Sequence, residues 1–174
     1  MIDAAGNIAA LTTSNGEGCG HMLDDTGFML NNMLGEEDLC PNGFHRWQPD
    51  CRLTSMMSPS LLQTADGTAT ALGSGGSNRI RSAILQVLLR LVDEDLELEE
   101  AIIRPRIHYE NGLLSMESGF DAPVYRELDR KFNEIKCWPD LNLYFGGVHA
   151  VRRERNIFTC YGDPRRGGVA FIVD

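Results

Sequence analysis

The stretch that most limits how this chain can fold is Gly73-Ser-Gly-Gly-Ser77-Asn78, which separates a strand-like run from a helical pattern. Glycine occupies three of its first four positions, so no regular element fits and the chain must turn sharply. Beyond it, apolar residues recur at the spacing of one helix face, at Ile80, Ile84, Val87, Leu88 and Leu91. The sequence predicts a tight strand-to-helix turn, with Ser77 or Asn78 as the helix cap and with Arg81, Gln86 and Arg90 on the opposite face.

A turn of this kind can hold an anion. Its backbone N–H groups converge on one point, and the helix N-terminus adds about half a positive charge there. The bound group could be a phosphate, a carboxylate or a developing oxyanion. No lysine follows the glycines as in a Walker A loop, and the spacing is not GxGxxG. A structural turn that simply needs glycine is an equally good interpretation of the local sequence.

Turn residues and apolar alternation predict an α+β fold, with antiparallel strands and a few helices packed on them. Hairpins are predicted at residues 60–72, turning at Asp66-Gly67, at 106–117, turning near Gly112, and at 147–161, turning near Arg155. Further strands are predicted at 7–13, 27–31 and 169–173, further helices at 97–103 and 122–132, and irregular loops at 14–20 and 35–52. A length of 174 residues predicts a single domain over residues 1–174.

Charge and cysteine usage exclude several classes of function. The formal net charge of −9 disfavours non-specific binding to nucleic acid or anionic membranes, and no apolar run approaches the ~18 residues of a membrane span. The five arginines at residues 152–166 are predicted to form a solvated or subunit-facing surface. Five cysteines without CxxC spacing, and four scattered histidines, predict neither a disulfide framework nor a metal site, and no cofactor is expected. This cysteine usage favours a reducing compartment such as the cytoplasm.

Two further stretches carry candidate binding groups. The hydroxyls of Thr54 and Ser55 could bind a ligand carboxylate, or these residues could simply begin a strand. The acidic run at residues 36–38 could bind a cationic amine or form a solvated loop. No serine or cysteine lies in a nucleophile elbow, and only His21 near Cys19 could activate that thiol.

Three stretches together resemble the small subunit of the γ-glutamyltranspeptidases. They are Asp-Ala-Ala-Gly-Asn-Ile-Ala-Ala-Leu-Thr-Thr-Ser at 3–14, Gly-Phe-Met-Leu-Asn-Asn at 27–32 with Arg-Leu-Thr-Ser-Met-Met-Ser-Pro at 52–59, and the glycine turn with its helix through Pro-Arg-Ile-His at 105–108. The ending Gly-Asp-Pro-Arg-Arg-Gly-Gly at 162–168 is also similar, so the resemblance covers the whole chain. It implies part of a four-layer αββα sandwich of the N-terminal-nucleophile hydrolases, lacking the large-subunit portion.

The resemblance also implies a reaction. The family's precursor cleaves itself before a threonine, which then attacks a γ-glutamyl amide such as that of glutathione and passes the acyl group to water or an amino acid. That threonine matches a position about five residues before Met1, so this chain by itself is expected to be inactive. The alternative is a non-catalytic binding or assembly subunit that keeps the glutamyl pocket. The family's range leaves periplasmic or secreted localisation open.

The same resemblance assigns roles to individual residues. Gly75 and Gly76 would form the oxyanion hole, with a register shift of one residue left open. Thr54 and Ser55 would bind the α-carboxylate of the γ-glutamyl group, and Asn15 would contact the substrate. Ser14 would hydrogen-bond the nucleophile. Glu36, or alternatively Glu37 or Asp38, would hold the substrate α-amine. A lone small subunit would expose an apolar sheet face, so self-association or recruitment of the large subunit is expected.

Overall fold

The computed structural model describes residues 1–16 and 18–173, and these residues form two compact units. One unit comprises Met1–Thr12 together with the chain from Met57 onward, and the other comprises Thr13–Met56. The division into two compact units does not test the prediction that residues 1–174 form a single domain, which remains a prediction. Glu17 of the predicted glycine-rich loop lies outside the described residues.

Nine strands and three α-helices follow one another along the described chain. The strands are β1 (Met22–Leu23), β2 (Phe28–Met29), β3 (Ser60–Gln63), β4 (Ala69–Gly75), β5 (Ile107–Glu110), β6 (Leu113–Glu117), β7 (Glu134–Trp138), β8 (Gly147–Glu154) and β9 (Ile157–Tyr161). The helices are α1 (Arg79–Val92), α2 (Leu98–Ile103) and α3 (Ala122–Lys131).

The larger unit contains two sheets. An antiparallel sheet has the strand order β3-β4-β8-β9, and a three-stranded sheet has the order β5-β6-β7. All three predicted hairpins are confirmed as β3–β4, β5–β6 and β8–β9. The β5–β6 turn holds Asn111 and Gly112 at φ of 51° and 87°, the left-handed conformation that tight hairpins require.

The smaller unit is mostly irregular. β1 and β2 pair as a short antiparallel hairpin, and single 3₁₀ turns follow at Met33–Gly35 and Glu37–Leu39. Residues 40–56 contain no helix or strand. The predicted loop at 35–52 is therefore confirmed apart from one 3₁₀ turn, and the predicted strand at 27–31 shortens to β2.

Other strand predictions are wrong. In place of a strand at residues 7–13 there is a single bridge between Ile2 and Ile8, and residues 169–173 join no sheet. β7 was not predicted. It pairs parallel to β6, so the three-stranded sheet is not purely antiparallel. The physical reason is that a segment becomes a strand only when it hydrogen-bonds to another strand. Apolar alternation alone does not show whether the edge of a neighbouring strand is available for that pairing.

The apolar face of α1 is confirmed, since Ile80, Ile84 and Val87 are buried. Of the two predicted caps, Ser77 and Asn78, Asn78 is wrong, because it has helical dihedral angles and its side chain makes no capping bond. The predicted solvent face is also wrong at Arg90, which is 7% exposed and donates to the carbonyls of Ala101, Arg104 and Pro105. These carbonyls lie in the last turn of α2 and in the two residues after it, where the helix offers no further N–H donors, and a guanidinium supplies several donors at once.

Candidate functional site

The glycine turn joins the end of β4 to the start of α1. Gly76 has φ of +135°, and a Cβ atom placed on it would lie 2.9 Å from the Cα of Gly146. Gly146 is equally confined, because a Cβ atom there would lie 2.9 Å from Ser74 Oγ. The two backbones therefore touch, which only glycine permits.

The turn leaves backbone donors unused. The carbonyls of Gly76 and Ser77 accept from Arg79 N at 3.1 Å and Ile80 N at 3.0 Å. Throughout the described residues, no acceptor is found for the N–H groups of Gly76, Ser77 and Asn78. Free N–H groups at a helix N-terminus form a site that attracts an anion.

Arg166 lies beside this turn. It belongs to the arginine cluster predicted at the surface, and the sequence did not assign it to the site. Its guanidinium donates to Leu143 O at 3.0 Å, and a Cβ atom on Gly76 would lie 3.5 Å from its Nη2. Gly147 makes room for it, since a Cβ atom there would lie 2.8 Å from Arg166 Cβ. A positive charge at this distance strengthens the attraction of the turn for an anion.

A buried ion-pair cluster supports the segment that touches the turn. Arg106 pairs with Asp163 at 2.7 Å and Arg165 with Glu117 at 2.6 Å, and the four side chains are at most 1% exposed. Arg106 also donates to Phe145 O, and Asp163 accepts from Val148 N, at 3.2 and 2.9 Å. The cluster thus holds both ends of residues 145–148, and the prediction of a surface arginine cluster is wrong for Arg165.

Two cations and two carboxylates balance in this cluster. Burial lowers the pKa of Arg106, although the adjacent Asp163 opposes the shift. Burial also acts to lower the pKa of Arg165, but its hydrogen bond with Glu117 and the charges of Glu117 and Asp163 outweigh burial and raise it. Each charge depends on its partner, because an unpaired ion in this interior would be strongly disfavoured.

In the smaller unit, three predicted site residues surround Gly16. Ser14 Oγ accepts from Gly16 N at 3.0 Å, and Asn15 O accepts from Asn32 N at 2.8 Å. A Cβ atom on Gly16 would lie 3.1 Å from Glu36 Oε1. The structure therefore brings Ser14, Asn15 and Glu36 together.

The remaining predicted residues of the smaller unit lie elsewhere within it. Glu37 and Asp38 belong to the 3₁₀ turn after Glu36. Thr54 and Ser55 are exposed in its irregular C-terminal stretch. Gly75 and Gly76 belong to the larger unit, where Gly75 is the last residue of β4 and pairs with Gly147.

His108 is a buried titratable group next to α1. Its Nδ1 lies 2.8 Å from Ser82 Oγ and its Nε2 lies 3.5 Å from Glu110 Oε2. Burial holds the pKa of His108 below its usual value, Glu110 acts in the opposite direction, and Arg79 and Arg81 add to the lowering. The folded protein therefore favours the neutral imidazole.

This preference predicts a pH-dependent stability. Below about pH 6.5 the unfolded chain binds a proton more readily than the folded protein, so the free energy of unfolding should fall. Urea unfolding between about pH 7.5 and about pH 5 should show a shallower decline for His108→Gln than for the unchanged protein. His21→Gln, at an exposed histidine, is the matched control. Equal declines in the two variants would contradict the assignment.

The described residues contain neither a candidate metal site nor a candidate membrane-spanning helix. Among residues 1–16 and 18–173 there is no group of three or more histidine, cysteine or acidic side chains placed to hold a metal ion. Within the same residues, no helix combines the length and the apolar character needed to cross a bilayer.

Comparison with protein families and curated sequences gives consistent matches. A family model described as gamma-glutamyltranspeptidase matches residues 1–173. The glutathione hydrolase proenzyme of Bacillus subtilis strain 168 is 32% identical, covering 100% of this chain and 30% of that protein. The capsule biosynthesis protein CapD proenzyme of Bacillus anthracis is 31% identical, covering 97% of this chain and 31% of that protein. The chain thus spans about a third of the length of these curated relatives.

Solved structures agree on the fold. The crystal structure of the Bacillus anthracis transpeptidase CapD superposes with a TM-score of 0.80 at 28% identity, covering 99% of this chain and 97% of that chain. A Pseudomonas nitroreducens gamma-glutamyltranspeptidase complexed with L-DON gives a TM-score of 0.82 at 24% identity, covering 100% and 97%. The expected α+β fold of the N-terminal-nucleophile hydrolase type is confirmed.

Proposed function

Because the chain belongs to the γ-glutamyltranspeptidase family, we propose that it is the small-subunit portion of an enzyme that cleaves γ-glutamyl amide bonds, such as the one in glutathione. One observation carries the proposal: a glycine turn at the matching position offers unused N–H donors beside the Arg166 guanidinium. The solved relatives support the small-subunit assignment, since this chain covers 97% of a separate polypeptide but only 30% of a proenzyme.

The proposed reaction uses a threonine that matches no position within residues 1–174. Its hydroxyl attacks the γ-amide carbonyl while its free α-amine accepts the proton. The carbonyl oxygen becomes an oxyanion, which backbone N–H groups of the glycine turn stabilise, at Gly75 and Gly76 or, with the register shifted by one residue, at Gly76 and Ser77. The unused donor at Gly76 is common to both registers. The amine leaves, and water or an acceptor amino acid then attacks the acyl-enzyme.

Recognition of the γ-glutamyl group is assigned to the smaller unit. Thr54 and Ser55 hydroxyls donate to the α-carboxylate, and the Glu36 carboxylate pairs with the α-ammonium group. Asn15 contacts the substrate, and Ser14 hydrogen-bonds the threonine. The mutual placement of Ser14, Asn15 and Glu36 around Gly16 supports assigning these three to one substrate group.

The remaining portion of the proenzyme is the proposed partner. A row of apolar side chains on α1 is exposed, and so is the apolar C-terminal segment: Leu85, Leu89, Val92, Val169, Phe171, Ile172 and Val173. Burying such surfaces against a large subunit would stabilise the assembly.

The same exposed surfaces predict that residues 1–174 expressed alone self-associate. Light scattering measures this, and detection of monomer alone would contradict the prediction.

The experiment starts from the complete coding sequence that contains residues 1–174. Intact masses over time should show the precursor splitting into two chains, the smaller beginning with threonine, and the product should release chromophore from a γ-glutamyl anilide. Residues 1–174 alone should release none. A complete product that neither splits nor turns over substrate would contradict the proposal and favour a non-catalytic binding subunit.

A further inference from the structure

A polar row runs along α1 beside its apolar face. Asn78, Ser82, Gln86 and Arg90 recur every four residues and so share one side of the helix. Each of them hydrogen-bonds to residues 101–110, which comprise the end of α2, the linker and β5. We call these four residues the polar seam.

The middle of the seam fastens α1 to β5. Gln86 Nε2 donates to Ile107 O at 2.9 Å, and Ile107 N donates to Gln86 Oε1 at 2.9 Å. One turn nearer the N-terminus, Ser82 Oγ lies 2.8 Å from His108 Nδ1. These contacts hold the middle of α1 against β5 and stabilise the packing of the two elements.

The N-terminal end of the seam reaches the glycine turn. Asn78, the last residue before α1, donates from Nδ2 to Glu110 Oε1 at 2.6 Å. Within the described residues its buried Oδ1 has no hydrogen-bond partner, and neither has His108 Nε2. Glu110 is thus the side-chain anchor of Asn78, which does not cap its own helix.

The turn needs such an anchor because its backbone is strained. Gly76 has φ of +135°, which glycine adopts readily, but the next residue, Ser77, has φ of +51°, which is uncommon for a residue with a side chain. Strained conformations persist only where the surrounding structure holds them. Oxyanion stabilisation in turn depends on donors that are already oriented before the charge forms.

We propose that Glu110 is a positioning residue of the proposed reaction: through Asn78 it fixes the start of α1 and thereby the direction of the N–H groups at Gly76. The inference rests on the proposed function. Glu110 needs only an acceptor oxygen for this role, so its charge is dispensable.

Three variants of the complete gene product test the role. Glu110→Ala removes the anchor and should lower kcat about 10- to 100-fold with little change in KM, because misplaced donors weaken transition-state binding alone. Glu110→Gln keeps an acceptor oxygen for Asn78, so its kcat should stay within about threefold of that of the unchanged enzyme. Gln86→Ala breaks the seam two turns away and should lower stability but leave kcat unchanged.

Hydrogen exchange gives a readout that does not depend on turnover. Backbone amides in a peptide covering residues 73–80 should exchange faster in Glu110→Ala than in Gln86→Ala. Unchanged exchange and kcat in Glu110→Ala would overturn the inference, and so would equal losses of kcat in Glu110→Ala and Gln86→Ala. If the unchanged enzyme cleaves no γ-glutamyl anilide, the proposed function fails, while the exchange comparison still decides the positioning role.

Discussion

Replacing Asp163 with alanine is expected to lower the free energy of unfolding by about 3–5 kcal/mol, because it leaves a buried cation without its partner. Asp163 is fully buried, pairs with Arg106 at 2.7 Å and accepts from the backbone N–H groups of Val148 and Arg165. The substitution therefore removes a charge and several hydrogen bonds together.

Urea unfolding of the complete gene product measures this loss. Asp140→Ala, at an exposed aspartate, is the control and should change the free energy of unfolding by less than about 0.5 kcal/mol. If Asp163→Ala does not accumulate as folded protein, Asp163→Asn keeps the shape of the side chain and allows a measurement. A loss below about 1 kcal/mol in both Asp163 variants would contradict a structural role for the cluster.

Replacing Gly76 with alanine is expected to lower kcat about 10²–10³-fold, the range found when one oxyanion donor is lost. The new methyl group would lie 2.9 Å from Gly146 Cα, and φ of +135° disfavours any side chain. The turn must then shift, and its N–H groups move away from the developing charge.

Gly67→Ala is the control that separates the cost of placing a side chain at positive φ from the effect of displacing the N–H groups of the turn. Gly67 also has positive φ, at +89°, but a Cβ atom there meets nothing within 4 Å. This control should cost about 1 kcal/mol of stability and leave kcat unchanged. A kcat within about threefold of the unchanged enzyme in Gly76→Ala would argue against the oxyanion role of the turn.

Features that depend on neighbouring residues in sequence were predicted well. The Asp66-Gly67 and Asn111-Gly112 turns identified two hairpins, because few residues other than glycine adopt positive φ easily. The buried face of α1 followed from its apolar spacing. The glycine turn was located from its composition, and the close approach of Gly146 explains why glycine is needed there.

Features that depend on distant partners were missed. β7 contains no buried residue and shows little apolar alternation, and it forms a strand because it can pair with the edge of β6. Arg165 was assigned to the surface, since charge alone does not reveal that Glu117, 48 residues away, neutralises it in the interior. Ser77 or Asn78 was expected to cap α1, but the Asn78 side chain donates from Nδ2 to Glu110 and makes no capping bond.

By itself, the sequence determined the family, the hairpin turns, the apolar face of α1 and the residue types at the glycine turn, because these follow from local backbone preferences and recurring motifs. Only the tertiary structure decided which polar side chains are buried, which segments join a sheet and what holds the start of α1. Those outcomes depend on long-range pairing: a buried arginine or an edge strand is stable only where a partner from elsewhere in the chain meets it.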